Sequence, residues 1–471
     1  MEECSQQELT ESSVRPDSAG TLGELLRVAI PLMISTGSLS VMGIIDRLLL
    51  TGLSPDALCA SMPAGMLHWT ILSVPFGIAT YVNTFVAQHD GAKQKDRVAA
   101  CVWQGIWISL LAGCVIFALI PLVQMLIPLN GHPPAVQQLE SEYYSILAMG
   151  SAPMLISNVF SAFFAGRGQT VTVMSVNLAA MLTNAILDAV LIFGFGPIPQ
   201  LGMAGAAWAT VLANVTSCIV FGVLTARAAR VQQYPFSTEM QWDTKLIWRM
   251  LSYGFPNGIQ MLTDAAAFLI FILATGILGQ HELEATNLAF NLNSMAFIPL
   301  IGMGTAVMSL VGRRIGEGRP DLAVRTTWLA MGTSGLYMLF FCVLFLGIPN
   351  ALIAPYAAFA KYSDRPDDFA EIVPLVVTLL RFVAVYSIFD AMVIVFGNAI
   401  RGAGDVRFSI IATTTISWTV MVVPCVAIIL WFPSLGLNGC WAAATAHLIL
   451  AGLVLFWRFR QGHWRSMKVI D

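Results

Sequence analysis

The sequence predicts an all-α integral membrane protein with twelve transmembrane helices in two parallel-repeat six-helix bundles. Three observations lead there: apolar runs long enough to cross a bilayer, self-similarity between the two halves, and positive charge gathered on one side. Of 471 residues, 57% are hydrophobic and 11% charged, and the mean hydropathy is +0.75. A water-soluble chain of this length cannot hide so much apolar surface, whereas the runs match a hydrocarbon layer about 30 Å thick. They lack the two-residue alternation of a membrane barrel, so helices are expected. In chain order the spans fall at about 25–52, 62–87, 99–127, 139–163, 172–196, 204–227, 247–278, 285–311, 323–354, 372–398, 407–431 and 437–458.

The halves align without gaps over their first two spans at a shift of 225 residues. Pro31 meets Pro256, Gly77 meets Gly302, Thr80 meets Thr305, Gly91 meets Gly316 and Asp96 meets Asp321. The shift grows to 234 at the motifs Leu201–Gly205 and Leu435–Gly439, with the extra residues assigned to the outer loop at 355–371. Six spans per half insert both halves the same way up, so their pseudo-two-fold axis runs along the membrane normal, with a binding site expected near the midplane between them. Pro31, Pro75, Pro153, Pro256 and Pro299 fall inside spans and are candidate kinks, static ones on the plainer reading.

Charge placement tests the span count. With the N-terminus inside, every Lys and Arg lies in a cytoplasmic segment or span end except Lys361 and Arg365 outside, and Arg47 and Arg381 within spans. That bias puts both termini in the cytoplasm of a multi-pass protein of the inner (plasma) membrane. The expected order is a disordered cytoplasmic tail (1–24), a first lobe (25–230), a cytoplasmic linker (231–246), a second lobe (247–460) and a cytoplasmic tail (461–471). The acidic start (Glu2, Glu3, Glu8, Glu11) is no cleaved signal peptide. Eight scattered cysteines without paired spacing imply neither a disulfide framework nor a zinc site. The net charge of −3 gives no indication of a nucleic-acid partner.

Four lone carboxylates, Asp46, Asp188, Asp264 and Asp390, are the candidate working groups. A charge at mid-bilayer costs roughly 2.5–3.5 kcal/mol on insertion scales, so such residues line cavities and act there, or else make structural hydrogen bonds between helices. Asn184 and Asp188, four apart, share one helix face, where amide and carboxylate can share a proton or coordinate a cation. Thr210 on the next span is a possible additional ligand. His68 and His447 read as structural, and the 22 Met residues mostly as packing. Gly402-Ala403-Gly404-Asp405 matches the Gly-x-Gly-Asp pattern of intramembrane aspartyl proteases. The chain has no Tyr-Asp pair, however, and Asp405 falls in a predicted turn, so an enzyme is not expected. No phosphate-binding loop is present, which leaves no sign of direct ATP use.

Several stretches together are specific. They are Ala29-Ile30-Pro31 with Gly43-Ile44-Ile45-Asp46; Arg167-Gly168-Gln169 leading to Asn184 and Asp188; and Leu201-Gly202-Met203-Ala204-Gly205-Ala206-Ala207. In the second half they are Gly254-Phe255-Pro256 leading to Asp264; Val311-Gly312 with Ile315-Gly316; and Asp390-Ala391 with Arg401-Gly402 and Gly404-Asp405. In this order they resemble the multidrug and toxic compound extrusion (MATE) family. The resemblance implies two lobes around a central cavity and export of organic cations in exchange for inward H⁺ or Na⁺, with no cofactor beyond that ion. Asp46, Asn184 and Asp188 are similar to the first-lobe cluster of the DinF-like branch. Asp264 and Asp390 fall where the NorM-like branch has its second-lobe acids, and there Na⁺ is the metal to expect. That branch usually has Glu at the Asp264 position, so this chain carries features of both branches. The expected partners are cationic small molecules and the bilayer, around a monomer. The alternative within transport is a flippase for lipid-linked oligosaccharides. Anionic phosphate cargo would call for embedded bases, and here Arg47 and Arg381 stand against four acids.

Overall fold

The computed structural model describes residues 19–53, 55–130, 132–360 and 366–470. Residues 1–18 of the expected N-terminal tail, together with Lys361 and Arg365, lie outside them, as does the Arg47 side chain. The first half runs α1 (Leu22–Leu53), α2 (Pro55–Gly91), α3 (Lys95–Ala118), α4 (Ile120–Leu126), α5 (Pro134–Met149), α6 (Ser151–Gly166), α7 (Thr170–Phe193) and α8 (Met203–Gln232). The second runs α9 (Thr244–Leu278), α10 (Gln280–Gly316), α11 (Pro320–Gly347), α12 (Pro349–Ala360), α13 (Pro366–Ala403), α14 (Val406–Ile416), α15 (Val423–Trp431) and α16 (Gly436–Gln461).

Among the described residues eleven helical segments are long and apolar enough to cross a membrane. The pair α5–α6, bent by 44° around Gly150, makes the twelfth. The predicted spans at 99–127 and 323–354 are each shorter than expected. The first breaks at Leu119, just before Pro121, and the second at Ile348, just before Pro349. Proline lacks the N–H that would continue the ladder and disfavours helix at the residue before it. The eleventh span is interrupted by a π-turn at Ser417–Val422 between α14 and α15. Such turns insert one residue into the helical ladder and recur at functional sites.

The repeat is visible in the packing. α1 packs on α7, α2 on α5 and α6, and α6 on α8; correspondingly, α9 packs on α14, α10 on α13, and α13 on α16. The lobes meet where α1 and α2 cross α9 and α10. A Cβ added to Gly77 would stand 2.4 Å from the Gly258 Cα, and one on Gly302 would stand 2.5 Å from the Met33 nitrogen. Only glycine lets these backbones approach so closely. At the 225-residue shift Gly77 corresponds to Gly302 and Gly258 to Met33, so the two contacts are pseudo-symmetric copies.

Hydrogen bonds reinforce this seam on the face that carries the chain termini. Asn257 Nδ2 donates to Gly77 O (2.9 Å), and Asn83 Nδ2 to Ser309 Oγ (2.9 Å). Tyr81 Oη donates to Arg401 O (2.9 Å). Gln88, fully buried, donates to Gly402 O and Ala403 O and accepts from the Val469 N–H (2.9 Å). The far end of the seam is Thr36 Oγ1 to Ile298 O (3.3 Å), about 21 Å along α1 from Leu22 at 1.5 Å per residue.

Both expected tails are partly built into the fold. Glu24 is buried, accepts from the Gly20 N–H and pairs with buried Arg314 of α10, so ordered structure starts before residue 25. The segment after α16 folds back on its apolar residues. Trp464 is fully buried with Nε1 donating to Phe459 O, and Val469 is enclosed beside Gln88. Within the predicted 231–246 linker, Tyr234 and Phe236 pack on Phe163, and Asp243 caps α9 by accepting from the Lys245 and Leu246 N–H groups.

Candidate functional site

In the first lobe, helix geometry collects the predicted polar residues. Asn184 and Asp188 lie one turn apart on α7 and are both fully buried. α7 packs against α1, which brings Asp46 to them. With its amide nitrogen turned toward the acids, Asn184 donates to Asp46 Oδ1 (2.9 Å) and Asp188 Oδ2 (3.1 Å). Its other amide atom then faces the Thr210 hydroxyl of α8 at 3.5 Å. Nearer the terminal face, Asn177 Nδ2 donates to Ser35 Oγ (2.6 Å), a second polar link between α7 and α1. The structure thus brings Asp46, Asn184, Asp188 and Thr210 into one group of oxygen and amide atoms. Two neighbouring carboxyl groups joined by an amide have the chemistry to share a proton or a hard cation.

The second lobe is arranged differently. Asp264 lies two turns beyond Asn257 on α9, a seven-residue step that keeps both on one face. Asn257 touches Gly77 of the first lobe, so Asp264 points into the space between the lobes, and there it is exposed. Gln260, one turn from each, is buried and donates to Thr413 Oγ1 of α14 (3.0 Å), while its Oε1 has no partner. Asp390 is buried in α13, one turn from Tyr386. Among the described residues no hydrogen bond joins Asp264 to Asp390, and α13 reaches α9 through Arg401, which donates to Asn257. The two acids of the expected Na⁺ site are therefore not joined by a hydrogen bond.

The acids do not obey the repeat. At the shifts that align the halves, Asp46 meets buried Phe271 and Asp264 meets exposed Leu39. Asn184 and Asp188 meet Trp418 and Val422 of the π-turn, and Asp390 meets Ile156. Arg167 and Arg401 do correspond, yet their surroundings differ. Arg167 stacks over Phe163 and Tyr234, hydrogen-bonds Gln232 and lies 4.0 Å from Asp90. Arg401 turns inward, donating from Nε to Gly397 O (3.2 Å) and from Nη1 to Asn257 Oδ1 (3.4 Å).

The remaining candidates are structural. His68 Nε2 lies 3.0 Å from Ser151 Oγ in a buried contact between α2 and α6. His447 is half-buried and Arg381 exposed. Asp405, of the protease-like motif, is buried in an ion pair with Arg458 at 2.7 Å. Sequence reasoning missed Asn83, Gln88, Asn257 and Gln260. Their signal was available: amides embedded in apolar spans, which need partners there as carboxylates do.

A family profile described as MatE matches residues 31–190 and 256–427. The chain is 29% identical over 436 residues to a probable multidrug resistance protein NorM of Burkholderia mallei, covering 92% of each chain. It is 28% identical over 464 residues to the multidrug resistance protein NorM of Burkholderia vietnamiensis, covering 98% of each. In fold it is similar to an outward-facing MATE family transporter of the MOP superfamily, with a TM-score of 0.84, 20% identity, and 95% of this chain and 97% of that one covered. A MOP superfamily transporter from Pyrococcus furiosus gives a TM-score of 0.83 at 20% identity over the same shares. With a profile matching both halves and a two-lobed helical fold to carry it, the chain belongs to the MatE family of membrane transporters.

Proposed function

We propose that the protein is a secondary antiporter that exports organic cations or drugs across the inner (plasma) membrane in exchange for H⁺ or Na⁺, by alternating access between its two lobes. The observation that carries this reading is the joined Asp46–Asn184–Asp188 group, one buried and one half-buried carboxyl group on one amide. A site of this kind binds and releases a small cation, and binding biases the balance between two lobe arrangements only if it differs between them. The seam along the terminal face supports a resting state open on the opposite side. The Lys and Arg bias supports a cytoplasmic terminal face, which would make this state outward-facing. Relatives named for multidrug resistance support drug-like cargo. The exposed Asp264 between the lobes gives a cationic cargo its first counter-charge.

Purified protein in proteoliposomes loaded with a cationic dye tests this. Efflux should follow an imposed pH or Na⁺ gradient, applied one at a time, and should be lost in Asp188→Asn. Dye movement indifferent to both gradients would sink the antiport reading.

A further inference from the structure

We propose that Arg401 is a tethered internal cation that competes with cationic cargo for Asp264, and so sets which cargo the second lobe accepts. The inference rests on the export reading above and adds a residue to it. Arg401 sits in the last turn of α13, its carbonyl pinned by Tyr81 Oη of the other lobe. Its guanidinium uses two hydrogen bonds of its five donors, and the one to a side chain, Asn257 Oδ1, is long at 3.4 Å. Among the described residues no carboxylate lies within 4 Å of it, whereas Arg167, its repeat counterpart, has Asp90 and two aromatic faces.

A half-buried guanidinium without an ion pair is drawn toward opposite charge. Asp264 is such a charge, and its field reaches Arg401. The path between them is short and polar. Asn257, which Arg401 already touches, shares a face of α9 with Asp264 about 10.5 Å further along. Gln260 lies between them with a buried acceptor, Oε1, that no donor fills. The guanidinium exchanges between Asn257, where it is hydrogen-bonded here, and Asp264, and a cation bound at Asp264 holds it at Asn257. Cargo without a net positive charge loses that contest, and a cation can win it.

Ethidium binding to the full chain in nanodiscs, paired with carbodiimide labelling of Asp264 read by mass spectrometry without cargo, provides the test. Arg401→Gln should bind ethidium roughly tenfold tighter, the scale of a unit charge about 10 Å away at an effective dielectric near 20. Arg401→Lys should stay within about threefold of wild type, and in an Asp264→Asn background Arg401→Gln should change nothing. Asn257→Ala, which frees the guanidinium but keeps both charges, should weaken ethidium binding about threefold; unchanged or tighter binding counts against the proposal. Carbodiimide should label Asp264 several times faster in Arg401→Gln than in wild type or Arg401→Lys. Equal labelling in Arg401→Gln and wild type overturns the proposal whatever the dye does, as does an ethidium effect that persists without Asp264. If wild type binds no ethidium while the labelling behaves as expected, the export reading falls and Arg401 stands as the counter-ion of Asp264.

Discussion

The two lobes share a fold and differ in how they hold their acids. In the first, Asp46, Asn184 and Asp188 form a closed group inside the bundle, with Thr210 at its edge. In the second, Asp264 is exposed and Asp390 is buried elsewhere, with no hydrogen bond joining them among the described residues. Where the first lobe has Asn184 and Asp188, the second has a π-turn. Repetition of a fold therefore has not repeated a site. A closed group suits an ion that must be held away from water, and an exposed acid suits a larger ligand.

Removing the closed group should hurt most if that division holds. Asp188→Asn should lower dye efflux by roughly a hundredfold, since a charge-assisted hydrogen-bond group is lost at about 1.5–3 kcal/mol per bond. It should also abolish the protons released per dye bound in weakly buffered solution. Proton release that persists in the variant would move coupling to the second lobe. Asp390→Asn should insert normally and reduce efflux about tenfold, one order of magnitude corresponding to about 1.4 kcal/mol. Efflux equal to wild type at equal protein level would make Asp390 structural.

Asp264 tests the opposite side of the comparison. Asp264→Glu should keep efflux within about threefold, because an exposed acid tolerates one added methylene, while Asp264→Ala loses the charge. Equal loss in both variants would mean that its geometry is as strict as that of the closed group. The smallest effect belongs to Thr210→Val, about twofold in efflux, as its 3.5 Å contact with Asn184 is long. A tenfold loss there would enlist Thr210 as a full ligand.

The legible parts of this molecule are those that helical period and hydropathy encode. Span count, the repeat, and the Asn184–Asp188 face follow from spacing within single helices. What joins Asp46 to that face is packing between α1 and α7, which spacing does not specify, although the resemblance to known transporters pointed to the group. Arg401 read as a span-end charge because counting positive residues by side treats every basic residue near a loop alike. Its inward turn depends on the seam with α2, where Tyr81 fixes its backbone. Trp464 and Val469 fell in a segment short enough to pass as a tail. Their apolar character gained meaning once the lobes left a slot between them.

Gln88 has a consequence for how the seam can change over generations. All three of its hydrogen-bond partners, Gly402, Ala403 and Val469, offer main-chain atoms. Point substitutions at Ala403 or Val469 leave those atoms in place, and only proline at 469 would delete the donor. The knot that ties one lobe to the other and to the returning C-terminal segment is thus written in a single codon. Side chains at positions 403 and 469 can change without removing its hydrogen-bonding atoms, yet one change at position 88 unties three segments of chain at once.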